Sequence, residues 1–437
     1  MRSKLRLYVL ALLVAAIGLA IAGCGDDDGG SGGGGSGEKV SGNISISGVW
    51  TGQEARSFNA VLDGFKEEQP DVTVKYRPVG DEIPTVLSTA VQGGNPPDLA
   101  VVPQPGLVRD FVDKNSLKPI DSAKSTIEEN FSEGAVDVGT VDGKLYGLLF
   151  KAANKSTVWY NVPLFEQAGV EPAEDFDAFL KNARTLRSSG TKAYSIGAAD
   201  GWTLTDLFEN IYLRQAGGEK YDQLATHDIP WTDQSVKDAL ETMARIVGDT
   251  GNIAGGTAGA LETDFPGSVT NAFKEDPDAA QVIEGDFVES EITESTPSEP
   301  ETGFNVADFP AIDGSGATVV GGGDSVIMFK DSPAAQALIE YLATPEAAEI
   351  WAKRGGFSSA NKNVDENAYE DPLLRKTAIA IGDAETFRFD MSDLQPAVFG
   401  ATVGQGLWKE FQDFLKSPDD VDGATQAMER AAARAFQ

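Results

Sequence analysis

The sequence predicts an α/β protein of two lobes, each a mostly parallel sheet flanked by helices. Three observations carry the expectation. Residues 43–102 alternate strand, helix, strand, helix, strand, the pattern of parallel strands joined by helical crossovers. Residues 145–150 and 156–160 are two short extended runs separated by a polar break at 151–155, where the backbone is expected to pass from one lobe to the other. The chain beyond the break is more helical, as a second unit would be. Function is then expected in the cleft between the lobes.

The chain has 437 residues, enough for two or three domains and a sizeable core. Its formal net charge of −33 repels phosphate backbones, so nucleic-acid binding is not expected. A single cysteine, Cys24, excludes an intrachain disulfide. With a single histidine, His227, a Cys/His metal site cannot be assembled either. A Ser-His-Asp triad would have to use His227, which sits in the polar run Ala-Thr-His-Asp-Ile-Pro and reads as a surface loop residue. No metal, cofactor or catalytic residue is expected.

Arg2, Lys4 and Arg6 introduce an apolar run over 7–22, shorter than the roughly 20 residues a spanning helix needs. The run ends Ile21-Ala22-Gly23-Cys24, small residues before a cysteine, which resembles the lipobox of bacterial lipoproteins. Residues 1–23 are therefore expected to be a cleaved signal peptide and Cys24 a lipid anchor. An ordinary signal peptide with an incidental cysteine is the alternative. Gly, Asp and Ser fill 25–37 and cannot bury a core, so 24–42 reads as a tether holding a soluble body off a membrane.

The body opens with a strand at Ile44, Ile46 and Val49, ended by Trp50-Thr51-Gly52. Phe58, Val61, Leu62 and Phe65 mark the inner face of a helix over 54–68, stopped by Pro70. Val72, Val74 and Tyr76 alternate as a half-buried strand, and Val86, Leu87, Ala90 and Val91 line a helix over 84–92. Residues 98–102 form a buried strand closed by Pro103-Gln104-Pro105-Gly106. Ligands of such sheets lie beyond the carboxyl ends of the strands, which makes residues 50–54 and 103–106 cleft candidates. No Gly-x-Gly-x-x-Gly follows the first strand, so a dinucleotide site has no support.

Beyond the break, Pro163 opens a helix that Gly169 closes, and Asp175 caps the next. Residues 205–215 and 235–247 are further helices. The Gly-rich stretch 250–259 is expected as a mobile surface loop and the acidic tract 289–301 as a solvated one. Residues 304–309 and 319–329 are extended. In the second, Gly321-Gly322-Gly323 before Asp324 either lets backbone approach a ligand closely or marks a bulge or tight turn. Ser332-Pro333 and Thr344-Pro345-Glu346 each start a helix, and 394–437 is helical apart from Ser417-Pro418.

The run from Ser332 to Phe357, with its helix, Thr-Pro-Glu, helix and Gly-Gly, resembles an element of the extracellular solute-binding proteins of bacterial ABC importers, the family typified by maltose- and other sugar-binding proteins. Other elements agree in order. Pro70-Asp71-Val72-Thr73-Val74 is similar to that family's first helix-to-strand corner, and Gly94-Asn95-Pro96-Pro97-Asp98-Leu99 to its Gly-x-x-Pro-Asp segment. Gly143-Lys144-Leu145-Tyr146-Gly147 and Trp159-Tyr160-Asn161 are similar to the two sides of its first hinge. The resemblance implies a two-lobed periplasmic-binding-protein-like fold of type II, with several interlobe crossings. By analogy lobe one holds 43–150 and 303–328, lobe two holds 152–302 and 330–437, and the hinges fall at Lys151, Asn305 and Phe329.

The same resemblance implies a monomer that captures a carbohydrate, a di- or oligosaccharide, and delivers it to permease subunits in the membrane. In that family an aromatic near Trp202 and another near Trp408 contact sugar. Glu284-Gly285-Asp286-Phe287 resembles its Gly-x-Trp contact segment, with phenylalanine in place of tryptophan. Aromatic faces suit apolar sugar faces, and a few directional polar groups fix orientation. The candidate ligand residues are Trp50, Gln53, Gln104, Trp202, Asp206, Phe287, Gly323, Asp324 and Trp408. Asp206 and Asp324 would accept from hydroxyls, though Asp206 also reads as a first-turn acid on the helix dipole. Trp159 and Trp351 fall on apolar faces and are expected in the core; Trp231 is undecided. A lipid-anchored glycoside hydrolase is the alternative, but no segment proposes two carboxyls about 5–10 Å apart. A surface scaffold without a small ligand is the third reading.

Overall fold

The structure, a computed structural model, describes residues Lys39–Gln437 apart from Asp383. The expected signal peptide, Cys24 and the tether up to residue 38 lie outside the described residues. Two main sheets organise the rest. The larger runs, in spatial order, Ser358–Ser359, Gly147–Asn154, Thr318–Met328, Leu99–Val102, Gly42–Gly48 and Val72–Pro78, with Thr386–Phe389 also paired to Thr318–Met328. The smaller runs Phe304–Asp308, Thr157–Asn161, Ala279–Ile283 and Lys192–Tyr194. Each is covered by helices and has its own apolar core. The two-lobed α/β expectation holds.

The sheets are mixed rather than mostly parallel. Gly42–Gly48 lies parallel to Val72–Pro78 and to Leu99–Val102, as the opening strand–helix alternation required. Thr318–Met328, however, enters antiparallel between Leu99–Val102 and Gly147–Asn154. In the smaller sheet Thr157–Asn161 is antiparallel to both neighbours. These strands arrive directly from the other lobe without a helical crossover, so nothing imposes the parallel direction.

The crossings also differ from the expected ones. Lys151 lies within Gly147–Asn154, and the chain leaves the larger sheet four residues later, at Lys155 and Ser156. Asn305 pairs with Tyr160 inside the smaller sheet, so Phe304–Asp308 belongs to lobe two and the second crossing runs over 309–317. Phe329 is no crossing. Its N–H donates to the Asp98 carbonyl at 2.9 Å and its ring packs edge-on to Phe111. The helices Pro333–Leu342 and Pro345–Ala352 then stay in lobe one, because Ala335, Leu338, Leu342 and Trp351 share a core with Ile44, Phe58 and Phe65. The third crossing follows Thr386–Phe389, at Asp390.

Elements with complete local signals form as expected. The first helix spans Gly52–Glu68 with Phe58, Val61, Leu62 and Phe65 buried. Asp175 caps Phe176–Ser188 by accepting from the Ala178 N–H, and Gly169 closes Val162–Ala168 at φ 67°. Two expected loops are helical instead. Thr250–Asn252 and Gly256–Glu262 are helices that flank a fully buried Ile253. The acidic tract begins as the helix Val288–Ser295, since Val288 and Ile292, one turn apart, dock on the core and carry Glu289 inside with them. The expected helix over 205–215 grows to Trp202–Ala225, broken only at Gly217, whose φ of 80° leaves helical geometry.

Candidate functional site

A cavity of 330 Å³ opens between the lobes. Lobe one supplies its wall from two strand ends, Trp50 after Gly42–Gly48 and Gln104 after Leu99–Val102, and from the middle of two strands, Lys151 in Gly147–Asn154 and Asp324 in Thr318–Met328. Glu54, in the first turn of Gly52–Glu68, and Asp81 complete that side. Lobe two answers with Trp202, Phe265, Phe287, Trp408, Asp200, Asp390 and Asp393. Arg56 and Glu294 form an ion pair across the lobes.

Trp202, Phe265 and Phe287 form one aromatic wall. Their ring centroids lie 5.2, 5.9 and 5.3 Å apart pairwise. All three are half-buried, so part of each face meets the cavity. Asp200 fixes Phe265 by accepting its backbone N–H at 2.6 Å. Trp408 packs against Gly201, which adopts φ 86° and has no room for a β-carbon beside the Trp408 side chain. Glycine there satisfies both the backbone and the close approach.

Two buried polar atoms on the lining have no partner among the described residues: the Gln104 Oε1 acceptor and the Trp408 Nε1 donor. Buried polar groups are nearly always paired, so the unpaired acceptor on lobe one and the unpaired donor on lobe two single out these two positions of the lining.

Trp50 is buried and not a stacking platform. Its Nε1–H donates to Asp324 at 2.7 Å, and Tyr76 donates to its carbonyl at 2.9 Å. Its task is to orient Asp324. Lys151 pairs with Glu54 and lies 5.5 Å above the Phe287 ring. Burial opposes its charge, but Glu54 and Asp324 override that and hold the ammonium above its usual range. Lys155 pairs with Asp390 and with Asp206 at 3.2 Å, with Asp393 at 3.8 Å. Those carboxylates outweigh burial and keep Lys155 charged. Asp390, despite its burial, is drawn down by Lys155, whereas burial pushes Asp206 up against the pull of the same lysine. Burial, then the neighbouring Asp200, raises Asp81 to about 6.

Three sequence candidates do not reach the cavity. Gln53 points away and accepts from Arg56 Nε at 3.1 Å; its neighbour Glu54 faces inward instead. Asp206 lies behind Lys155, almost wholly buried. Gly323 serves its own sheet: it pairs in register with Ala152, a β-carbon there would strike the Lys151 carbonyl of the neighbouring strand, and the register shift falls just after the glycine run, at Asp324/Ser325. Trp50, Gln104, Trp202, Phe287, Asp324 and Trp408 do converge. Sequence reasoning did not find Phe265, Asp81, Asp200, Lys155, Asp390 or Asp393. The Asp-Phe-Pro helix start at Asp264–Pro266 and the Asp-Met-Ser-Asp start at Asp390–Asp393 carried local signals for three of them, but of helix capping rather than of a cavity. Trp159, Trp231 and Trp351 are core. Among the described residues no group of three or more His, Cys, Asp or Glu could hold a metal ion, and no helix is long and apolar enough to cross a membrane.

The chain belongs to the bacterial extracellular solute-binding proteins: that family's model matches residues 51–349. It is 32% identical over 389 residues to the osmoprotective compounds-binding protein GgtB of Synechocystis sp., covering 88% of this chain and 91% of that one. It is 33% identical over 399 residues to the alpha-glucosides-binding periplasmic protein AglE of Rhizobium meliloti, covering 88% and 86%. Among solved structures, the solute receptor AcbH, described as preferring β-D-galactopyranose, aligns with a TM-score of 0.80 at 20% identity over 91% of this chain and 100% of that one. The raffinose complex of RafE aligns with a TM-score of 0.73 at 18% identity, covering 91% and 100%. These likenesses show a type II binding-protein fold.

Proposed function

We propose that the interlobe cavity captures a small neutral carbohydrate, one or two rings in size, and that the chain delivers it to ABC-importer permease subunits. The observation that carries this is the pairing of an aromatic wall, Trp202–Phe265–Phe287, with the unpartnered Gln104 Oε1 and Trp408 Nε1. Apolar sugar faces suit the first and hydroxyls the second. Both lysines of the lining are already paired with carboxylates, and acids outnumber them, so an anionic solute is disfavoured. At 330 Å³ the cavity is near the low end of the roughly 300–1,000 Å³ usual for small-molecule sites, which suits a disaccharide or glycoside better than a longer oligosaccharide. The named binding of alpha-glucosides by one relative and of osmoprotective compounds by another supports an α-glucoside. Lipidation at Cys24 and attachment to the outer face of the cell membrane complete the proposal.

The test is a thermal-shift and calorimetric panel of trehalose, sucrose, maltose, galactose, raffinose and glycine betaine on the purified chain. A sugar with a dissociation constant of about 1 μM, present at about 1 mM, stabilises the fold by roughly 4 kcal/mol. A response to betaine alone, or to no sugar, overturns the carbohydrate reading. Disappearance of the sugar during the assay favours a hydrolase instead.

A further inference from the structure

Helix Trp202–Ala225 buries four ionisable or amide side chains, Asp206, Glu209, Asn210 and Arg214, inside a core where such groups are costly unless they hold something. What they hold is the interlobe backbone. Asn210 Nδ2 donates to the Lys155 carbonyl at 2.8 Å, and Ser156 Oγ donates to Asn210 Oδ1 at 2.5 Å: the first crossing. Arg214 donates to the Phe309 carbonyl at 3.4 Å and the Thr318 carbonyl at 2.7 Å, the two ends of the second crossing. Glu209 accepts from the Met391 and Ser392 N–H groups at 2.6 and 3.0 Å, just past the third. One helix therefore grips all three crossings.

The grips are joined to each other. Arg214 donates to Asn210 Oδ1 at 3.0 Å, and Ser156 Oγ, bound to the same oxygen, accepts the Val320 N–H at 2.8 Å. Arg214 forms no ion pair with a carboxylate among the described residues; its acceptors are neutral, and its guanidinium lies 4.8 Å from the Phe309 ring centroid. Beside the second crossing an open cavity of 670 Å³ leaves residues 315–317 uncovered on one side, while Phe309 and Ile312 anchor the start of the crossing in the core of lobe two. Trp202, Asp206, Asn210 and Arg214 recur every fourth residue, so they form one ridge from the solute cavity to the hinge.

We propose that Asn210 and Arg214 are positioning residues for closure: through this ridge they set the angle between the lobes, and Trp202 at its other end links that angle to the solute. The proposal rests on closure by lobe rotation about these crossings, not on which solute is captured. Its test is accordingly made without solute.

The full chain carries Cys24→Ser, and spin labels are attached at Asp63→Cys in lobe one and Glu241→Cys in lobe two, both exposed. Pulsed electron resonance then reads the interlobe distance distribution, and a melt reads stability. Arg214→Met is expected to shift the distribution and widen it roughly twofold, and Arg214→Lys to recover part of the wild-type shape, because an ammonium still reaches one of the two carbonyls. Ser156→Ala, which leaves the guanidinium in place, is expected to widen it less and remains readable if Arg214→Met does not fold. Wild-type distributions in folded Arg214→Met or Ser156→Ala, whatever their melting temperatures, overturn the proposal.

Discussion

The indole of Trp50 donates its N–H to the carboxylate of Asp324 across 2.7 Å, joining a residue at the end of the first strand to one in the middle of a strand 274 positions later. Trp50 also packs edge-on to Phe58 and Trp351, so core packing and the placement of a cavity carboxylate depend on one ring. Trp50→Phe should keep much of the packing and release Asp324. The expected result is a stability loss of about 1–3 kcal/mol in urea unfolding with a larger proportional loss of solute affinity. Equal affinity in the folded variant would show that Asp324 needs no such orientation.

Lys155 is the shared counter-ion of Asp206, Asp390 and Asp393. Lys155→Met removes the cation and leaves buried carboxyls facing one another. A loss of about 3–5 kcal/mol is expected, the usual result of stranding one side of a buried pair. A variant as stable as the wild type in denaturant titration would refute this account of the cluster.

Trp408 is too buried to truncate safely, so the informative change is Trp408→Phe, which removes the unpartnered Nε1–H while keeping most of the volume. Affinity should fall about tenfold, the worth of one buried hydrogen bond to a ligand, with little change in melting temperature. Trp202→Ala, on a half-buried ring, should weaken binding more than it weakens the fold. Calorimetry beside a melt separates the two effects.

Asp81 is raised to about 6 by burial and by Asp200, which faces it across the cavity. An open cleft returns it to water and toward the ordinary value of 3.8. Between those values the closed form holds a proton that the open form has released, so closure is favoured as pH falls. Affinity should therefore rise as pH falls from about 6 toward about 4, and Asp81→Asn should flatten the profile. An unchanged slope in that variant would assign the dependence to another group.

Burial lifts Glu289 to about 8 in the folded chain, from an ordinary value of 4.5, and pushes Asp206 upward as well. The native state thus binds more protons than the unfolded chain across that interval, and stability declines as pH rises through it. The melting temperature should be higher near about pH 5.5 than near about pH 8.5, and Glu289→Gln should reduce the difference. A melting temperature that climbs toward alkaline pH contradicts the burial of these acids.

Much of the fold was legible because its signals are local. The stripe Phe58–Val61–Leu62–Phe65, the caps at Asp175, Ser332 and Thr344, and the strand alternation at 72–76 each specify one element from its own residues. The strand-end rule then placed Trp50 and Gln104 in the cleft, and the family resemblance placed Trp202 and Trp408. Burial of Glu289 was not legible. An acidic stretch reads as solvated until Val288 and Ile292 are seen docked, with the Glu289 carboxylate accepting the Gly356 N–H from the other lobe at 3.1 Å.

By itself the sequence determined the elements with complete local signals, the two-lobed class and the family, since periodicity, caps and turn residues act over a few positions. Tertiary structure alone decided that Phe304–Asp308 joins lobe two and that Pro333–Ala352 stays in lobe one. It alone turned Lys155, written as a polar break, into the centre of a buried acid cluster and Asp206 into its partner. Strand register and the pairing of buried charges join residues far apart in the chain, and their energies exist only once the core has excluded water.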